Sequence, residues 1–117
     1  MADEYKKRLG DIPGLTLPSD IADTKNVYWV YALLVDEQAF GISKDALREK
    51  LKADGIGTRD FFYPPEDQPI LRDIIGTERF PNATRAAQAG LYLPSGLSIT
   101  EKEIEYVSAS VRKHARR

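Results

Sequence analysis

The stretch GTRDFFYPPEDQPI, residues 57–70, sets one arginine beside three consecutive aromatic residues and follows them with two prolines. Successive side chains of a strand point to opposite faces, so Phe61, Phe62 and Tyr63 cannot all enter one core. Arg59, placed near the end of a strand and backed by a proline-stiffened loop, has a rigid mount. From there its planar fork of donors is suited to a phosphate or a carboxylate. The same residues also read as an exposed strand-end arginine whose neighbouring aromatics plug a sheet edge. Residue chemistry leaves both readings open.

Other chemistry is thinner. His114 sits among charges near the C-terminus, where a solvated helix end is expected rather than a member of a Ser-His-Asp set. No phosphate-cradling glycine motif is present. The basic run from Arg112 to Arg117 matches the negative end of a helix dipole and needs no partner. Tyr28, Trp29 and Tyr31 have rings that stack on a base or a sugar, but they read as the core and face of a central strand. With no cysteine and a single histidine the chain has neither a disulfide nor a thiolate ligand, and no metal-binding residues are assigned. A net charge of −1 gives no basic field to hold nucleic acid. The longest apolar run, Val27 to Val35, is far too short to span a bilayer. The charged residues after Met1 do not resemble a signal peptide, so a cytoplasmic location is expected.

These residues must be positioned by a small set of elements. ADEYKKRLG reads as one or two helical turns with Tyr5 and Leu9 on one side, stopped at Gly10. Leu15 and Leu17 lie in a short extended piece between Pro13 and Pro18. Asn26 to Val35 is rich in β-branched and aromatic residues and is expected to form a long central strand. A helix follows, with Ser43 as N-cap, Leu47 and Leu51 inward, and Gly55 just past its end. Ile56 to Phe62 is expected as a second strand, broken at Pro64-Pro65. Next come a helical patch at ILRDII, a helix from Pro81 to Gly90, and a short strand at LYLP. Thr100 and Glu103 then form a capping box that opens a last helix, with Ile104, Val107 and Val111 as its apolar stripe. The order predicts an α+β fold in which helices pack on a small, mainly antiparallel sheet, as one domain over residues 1–117.

With the elements placed, a resemblance emerges. Gly55-Ile56-Gly57-Thr58-Arg59-Asp60-Phe61-Phe62-Tyr63-Pro64, with Gln68-Pro69 behind it, resembles a pattern of the DegT/DnrJ/EryC1/StrS family: Gly-Ile-x-Thr-Arg-x-Phe-Phe-Tyr-Pro, then Gln-Pro. Asn26 to Tyr31 is similar to the family's strand after the interdomain region, and Leu93 to Leu97 to its Leu-Pro turn before the last helix. The paired phenylalanines are most like the perosamine synthase branch. Three positions depart from the pattern: Asp60 stands where proline is common, Pro65 where leucine or methionine is usual, and Glu66 where members often carry a histidine. A carboxylate in place of an imidazole reverses the local charge preference.

The family comprises pyridoxal-phosphate-dependent aminotransferases acting on nucleotide-linked keto sugars. The resemblance therefore implies that this chain corresponds to their C-terminal small domain, as in fold-type I aminotransferases. Arg59, Phe61, Phe62, Tyr63 and Glu66 become substrate-binding candidates. The Schiff-base lysine and phosphate cradle belong to the large domain, so no catalytic residue is assigned here. None of Lys25, Lys44 or Lys52 has the context of a cofactor lysine, and the chain alone is expected to bind no pyridoxal phosphate and to be inactive. Its implied partners are a cofactor-binding domain and, in the full enzyme, a nucleotide-linked 4-keto-6-deoxy sugar and glutamate. Self-association is also possible through an apolar patch expected near the N-terminal segment and the aromatic loop. A freestanding sugar-nucleotide or protein-binding module is the alternative. A winged-helix nucleic-acid binder is disfavoured, because Lys44, Arg48, Lys50 and Lys52 are offset by Asp45, Glu49 and Asp54.

Overall fold

Tyr31, Leu33 and Val35 are buried along strand β2 (Tyr31–Val35), while Ala32 and Leu34 between them are half-buried. Strand β4 (Gly90–Leu93) runs antiparallel beside it, with Tyr31 opposite Leu93 and Leu33 opposite Leu91, so these four side chains share one face. Two short strands complete the sheet of this computed structural model, which describes residues 1–116: β1 (Leu15–Thr16) outside β2, and β3 (Arg59–Asp60) outside β4. Every pairing is antiparallel and the order is β1-β2-β4-β3.

Three helices supply the other half of the core: α1 (Ala2–Leu9), α3 (Lys44–Ala53) and α6 (Glu101–His114). Tyr5 and Leu9, Leu47 and Leu51, and Ile104, Val107 and Val111 all lie in the same buried cluster as Leu33 and Leu91. Each fully buried leucine is worth roughly 1.5–3 kcal/mol. The ends of these helices form as expected from their residues. Ser43 Oγ accepts the Ala46 N–H at 3.2 Å, and Gly55 takes the left-handed conformation (φ +78°) after α3. Thr100 Oγ1 accepts from the Glu103 N–H while Glu103 Oε2 accepts from the Thr100 N–H, a complete capping box. Tyr92, Ala32 and Leu34 lie on the opposite face of the sheet, where α5 (Pro81–Ala89) contacts β2 and β4.

The α+β fold agrees with the sequence, but several boundaries change. The long strand expected from Asn26 begins only at Tyr31, because its partner β4 runs into Pro94 and β1 runs toward Pro18, and proline offers no ladder donor. Residues 26–30 instead form an irregular segment in which Tyr28 has a positive φ of 46°. Asp20 Oδ1 accepts the Asn26 N–H and Asn26 Oδ1 accepts the Tyr28 N–H, which fixes that loop locally. Tyr31 enters the core and Tyr28 packs partly against it, whereas Trp29 is 70% exposed rather than part of a strand face. The second strand shrinks from Ile56–Phe62 to Arg59–Asp60, which pair with Tyr92 and Leu91 of β4; after Asp60 the chain leaves the ladder and the Phe61 ring stacks on Tyr92. A four-residue helix, α2 (Glu37–Phe40), was not anticipated: Asp36 caps it and Gly41 (φ +103°) ends it. A 3-10 turn (Pro69–Leu71) and α4 (Arg72–Ile75) fill the helical patch expected at ILRDII, and a further 3-10 turn (Pro65–Asp67) forms in the stretch expected as a loop. Arg117 lies outside the described residues.

Candidate functional site

Strand β3 brings Arg59 and Asp60 to the edge of the sheet, and the aromatic run leaves it there. Phe61 turns onto the sheet, its ring stacked on Tyr92 with centroids 4.6 Å apart. That stacking depends on Gly90, where a Cβ would lie 2.4 Å from the Phe61 ring and 2.3 Å from the Ala86 carbonyl oxygen. Phe62 and Tyr63 are 73% and 77% exposed. So one aromatic of the three packs, and two face outward.

Phe61, Phe62, Tyr63, Pro64 and Asp67 form one wall of a groove of about 450 Å³; Thr84, Ala87 and Gln88 of α5 form the other. Lys44 and Asp60 lie at the same groove. Gln68 Nε2 donates to the Tyr63 carbonyl at 2.9 Å and braces the loop from behind.

Arg59 does not line this groove. It opens onto a neighbouring one between β3 and α3, with Arg48, Lys52 and Thr58. Asp60 takes the adjacent cations: Lys44 Nζ lies 2.8 Å away, and Arg48 forms an ion pair with the same carboxylate. Lys44, first among these contacts, holds the Asp60 carboxyl below its usual pKa. Exposed Arg59 is left without an ion pair among the described residues.

Glu66 does not line the groove either. Its Oε1 accepts the Phe80 N–H at 3.1 Å and the Thr84 hydroxyl at 2.8 Å. Its own backbone N–H does most to lower the carboxyl's pKa; Thr84 and Phe80 add to this, against the cost of burial. Of the five sequence-derived candidates, the structure brings Phe61, Phe62 and Tyr63 together, sets Arg59 one groove away, and places Glu66 behind the wall. Lys44 and Thr84 were missed because no sequence signal joins α3 and α5 to this loop; Asp67 was missed although it lies in the loop itself.

His114 corrects the expectation of a solvated end. Its Nε2 lies 3.0 Å from Asp54 Oδ2, and its side chain is only 13% exposed. Ser110 Oγ donates to the same Oδ2 at 2.6 Å, Lys113 Nζ reaches Oδ1 at 3.3 Å, and Tyr106 OH donates to the Asp54 carbonyl at 2.7 Å. Serine and histidine both meet the carboxylate and not each other, so no proton relay runs through the imidazole. The cluster clasps the end of α3 to α6. Ser110 first, then His114 and Lys113, lower the Asp54 pKa from 3.8 to about 2. A depressed folded pKa stabilises above the unfolded value and is lost as pH falls through the folded one. Thermal melts should therefore show Asp54→Asn well below the unsubstituted chain at pH 5, with the gap closing as pH falls from about 4 toward 2. A gap independent of pH would contradict the clasp.

A Schiff-base lysine needs a lowered pKa. Lys44 is the reverse: burial works against its charge, but Asp45 and Asp60 prevail and raise it. Lys25 and Lys52 are exposed. These residues do not fit a covalent cofactor site. Among the described residues no cluster of metal-ligating side chains occurs, and no helix is long and apolar enough to cross a membrane.

Comparison with known proteins gives a consistent picture. The family model described as the DegT/DnrJ/EryC1/StrS aminotransferase family matches residues 1–112. GDP-perosamine synthase from Vibrio cholerae is 22% identical over 114 residues, covering 97% of this chain and 30% of its own. Spore coat polysaccharide biosynthesis protein SpsC from Bacillus subtilis (strain 168) is 30% identical over 115 residues, covering 96% of this chain and 30% of its own. Among solved structures, DesV of S. venezuelae, in complex with a ketimine intermediate, superposes with a TM-score of 0.86 at 28% identity, over 99% of this chain and 30% of that one. DesI, in the presence of its TDP-sugar product, gives 0.82 at 29% identity, over 96% and 29%. The chain thus spans about 30% of the length of the curated relatives it matches.

Proposed function

The chain belongs to the DegT/DnrJ/EryC1/StrS aminotransferase family, and from that membership we propose that it acts as the small domain of a pyridoxal-phosphate-dependent sugar-nucleotide aminotransferase. The domain spans residues 1–117 and works with a cofactor-binding domain of the kind that makes up the remainder of its relatives. The observation that carries this reading is a family match over nearly the whole chain together with coverage of about 30% of each relative. Pyridoxal phosphate, held by the cofactor domain, supplies the amino-transfer chemistry. The chain's own residues close one side of the cleft and hold the reactants in geometry.

Arg59 takes an anion there, a carboxylate of glutamate or a phosphate of the nucleotide, because its guanidinium is exposed and has no ion pair among the described residues. Phe62 and Tyr63 offer flat apolar faces to a 4-keto-6-deoxy sugar, with Phe61 as the base of their wall. Likeness to GDP-perosamine synthase makes a GDP-linked sugar the first substrate to try. The exposed Ile21, Val27 and Trp29 are candidates for docking on the cofactor domain.

The aromatic groove is complete within this chain, which favours a second reading as a freestanding sugar-nucleotide-binding module. Calorimetric titration of the chain alone with a GDP-linked hexose separates the two. Our reading expects no saturable heat until the cofactor domain is added, and amino transfer once it is. Saturable heat from the chain alone would favour the module.

A further inference from the structure

Helix α5 begins poorly on its own. Pro81 suits its first position, but Phe80 at the N-cap offers no side-chain acceptor and the first turn holds no acidic residue. A helix start leaves several N–H groups without intrahelical partners and favours negative charge nearby. Both needs are met from outside, by Glu66.

We propose that Glu66 is a positioning residue that clamps the aromatic loop to α5 and so sets the width of the groove between them, without touching whatever enters it. Glu66 sits in the 3-10 turn Pro65–Asp67. Its neighbours Pro64 and Asp67 belong to the loop wall; Thr84, which it holds at 2.8 Å, belongs to the helix wall. One carboxylate oxygen therefore ties the two walls together. The same oxygen accepts the Phe80 N–H at 3.1 Å, so the tie fixes where α5 starts as well as how far it stands off. The other oxygen, Oε2, is sealed from solvent with no hydrogen-bond partner. A carboxylate placed to meet a ligand would line the groove, and Glu66 does not. Gln68 braces the Tyr63 carbonyl from the same turn, so the exposed rings of Phe62 and Tyr63 are carried by a loop held at two points. The histidine that the family resemblance leads one to expect here is replaced by a group that accepts two hydrogen bonds at one atom. The clamp is a property of this chain's own geometry and stands whether or not a sugar nucleotide is the ligand.

Hydrogen exchange and NMR on the chain itself test it. The Thr84 amide donates to the Phe80 carbonyl at 2.9 Å, in the first turn that Glu66 supports. Glu66→Ala should speed its exchange about tenfold, the scale of one lost charge-assisted bond. The Leu47 amide in α3, bonded to the Ser43 carbonyl, should not change. Glu66→Gln keeps an acceptor and should restore most of the protection. Thr84→Val removes a single hydroxyl; it should raise the Glu66 carboxyl titration toward its ordinary value and shift the Phe62 and Tyr63 ring resonances. Unchanged Thr84 exchange in Glu66→Ala, with unmoved ring resonances, overturns the proposal. Should Leu47 exchange rise too, the chain has loosened as a whole and Thr84→Val decides: moved rings support the clamp, and unmoved rings end it. None of these readouts depends on amino transfer, so failure of the proposed function leaves them intact.

Discussion

Arg59→Ala is expected to lower kcat/KM about 100-fold in an enzyme reassembled from this chain and a cofactor domain, while the melting temperature of the chain stays where it was. The large effect follows from what surrounds the guanidinium. Lys44 and Arg48 both spend their charge on Asp60, whereas Arg59 is exposed and has no ion pair among the described residues. An anion in the cleft would find this cation free. A hundredfold loss corresponds to about 2.7 kcal/mol, within the range for truncating one partner of a buried hydrogen-bonded charge pair, which is what Arg59 and its anion become once the cleft is closed by the cofactor domain. Arg59→Lys should recover only part of it, since an ammonium cannot present the paired donors that match a carboxylate or phosphate. Surface residues without partners contribute little to stability, about 0.5 kcal/mol at most. A normal kcat/KM in Arg59→Ala, or a loss matched by unfolding, would remove Arg59 from the site.

Gly90→Ala is expected to destabilise the chain by about 3 kcal/mol, the upper part of the range for overpacking. The backbone at Gly90 is ordinary extended strand (φ −87°), so conformation is not the reason. Space is. A Cβ would stand 2.3 Å from the Ala86 carbonyl oxygen and 2.4–2.5 Å from the Phe61 ring, and the oxygen is backbone that cannot swing aside. The ring must leave Tyr92, and the floor of the aromatic wall goes with it. Gly57→Ala is the control: nothing lies within 4 Å of its Cβ position, so it should stay within about 0.5 kcal/mol. In a Phe61→Ala background the cost of Gly90→Ala should fall, because the two share one contact. Urea unfolding reads all three, and equal costs at Gly57 and Gly90 would contradict the packing described.

Much of this was legible in the residues. Capping signals at Ser43 and Thr100 and the leucine and valine spacing behind them placed α3 and α6 correctly, because local hydrogen bonds and burial act together there. Strand lengths were not legible. Val27–Val30 consists of strand-forming residue types, but a strand needs a partner, and Pro94 ends the one beside it. Alternation required that at least one aromatic of three look away from the core, and none enters it: Phe61 packs on Tyr92 on the opposite face, and Phe62 and Tyr63 face outward. The Asp54 clasp and the Glu66 clamp had no local signal: Asp54 meets residues up to 60 positions away in sequence, and Glu66 meets Thr84 across 18. The family resemblance marked the loop as functional and grouped Arg59 and Glu66 with the aromatics. The structure divides that group between two grooves and the space behind one wall.

Whether the chain completes an enzyme is tested most directly by supplying what its relatives have and it does not span. The measurement is amino transfer from glutamate to a GDP-linked 4-keto-6-deoxy sugar by a cofactor domain, produced separately, with and without this chain. The account predicts no turnover from either part alone, turnover on mixing, and loss of that turnover with Arg59→Ala. If the mixture is inactive and the two parts rejoined as a single polypeptide are inactive as well, the account is contradicted.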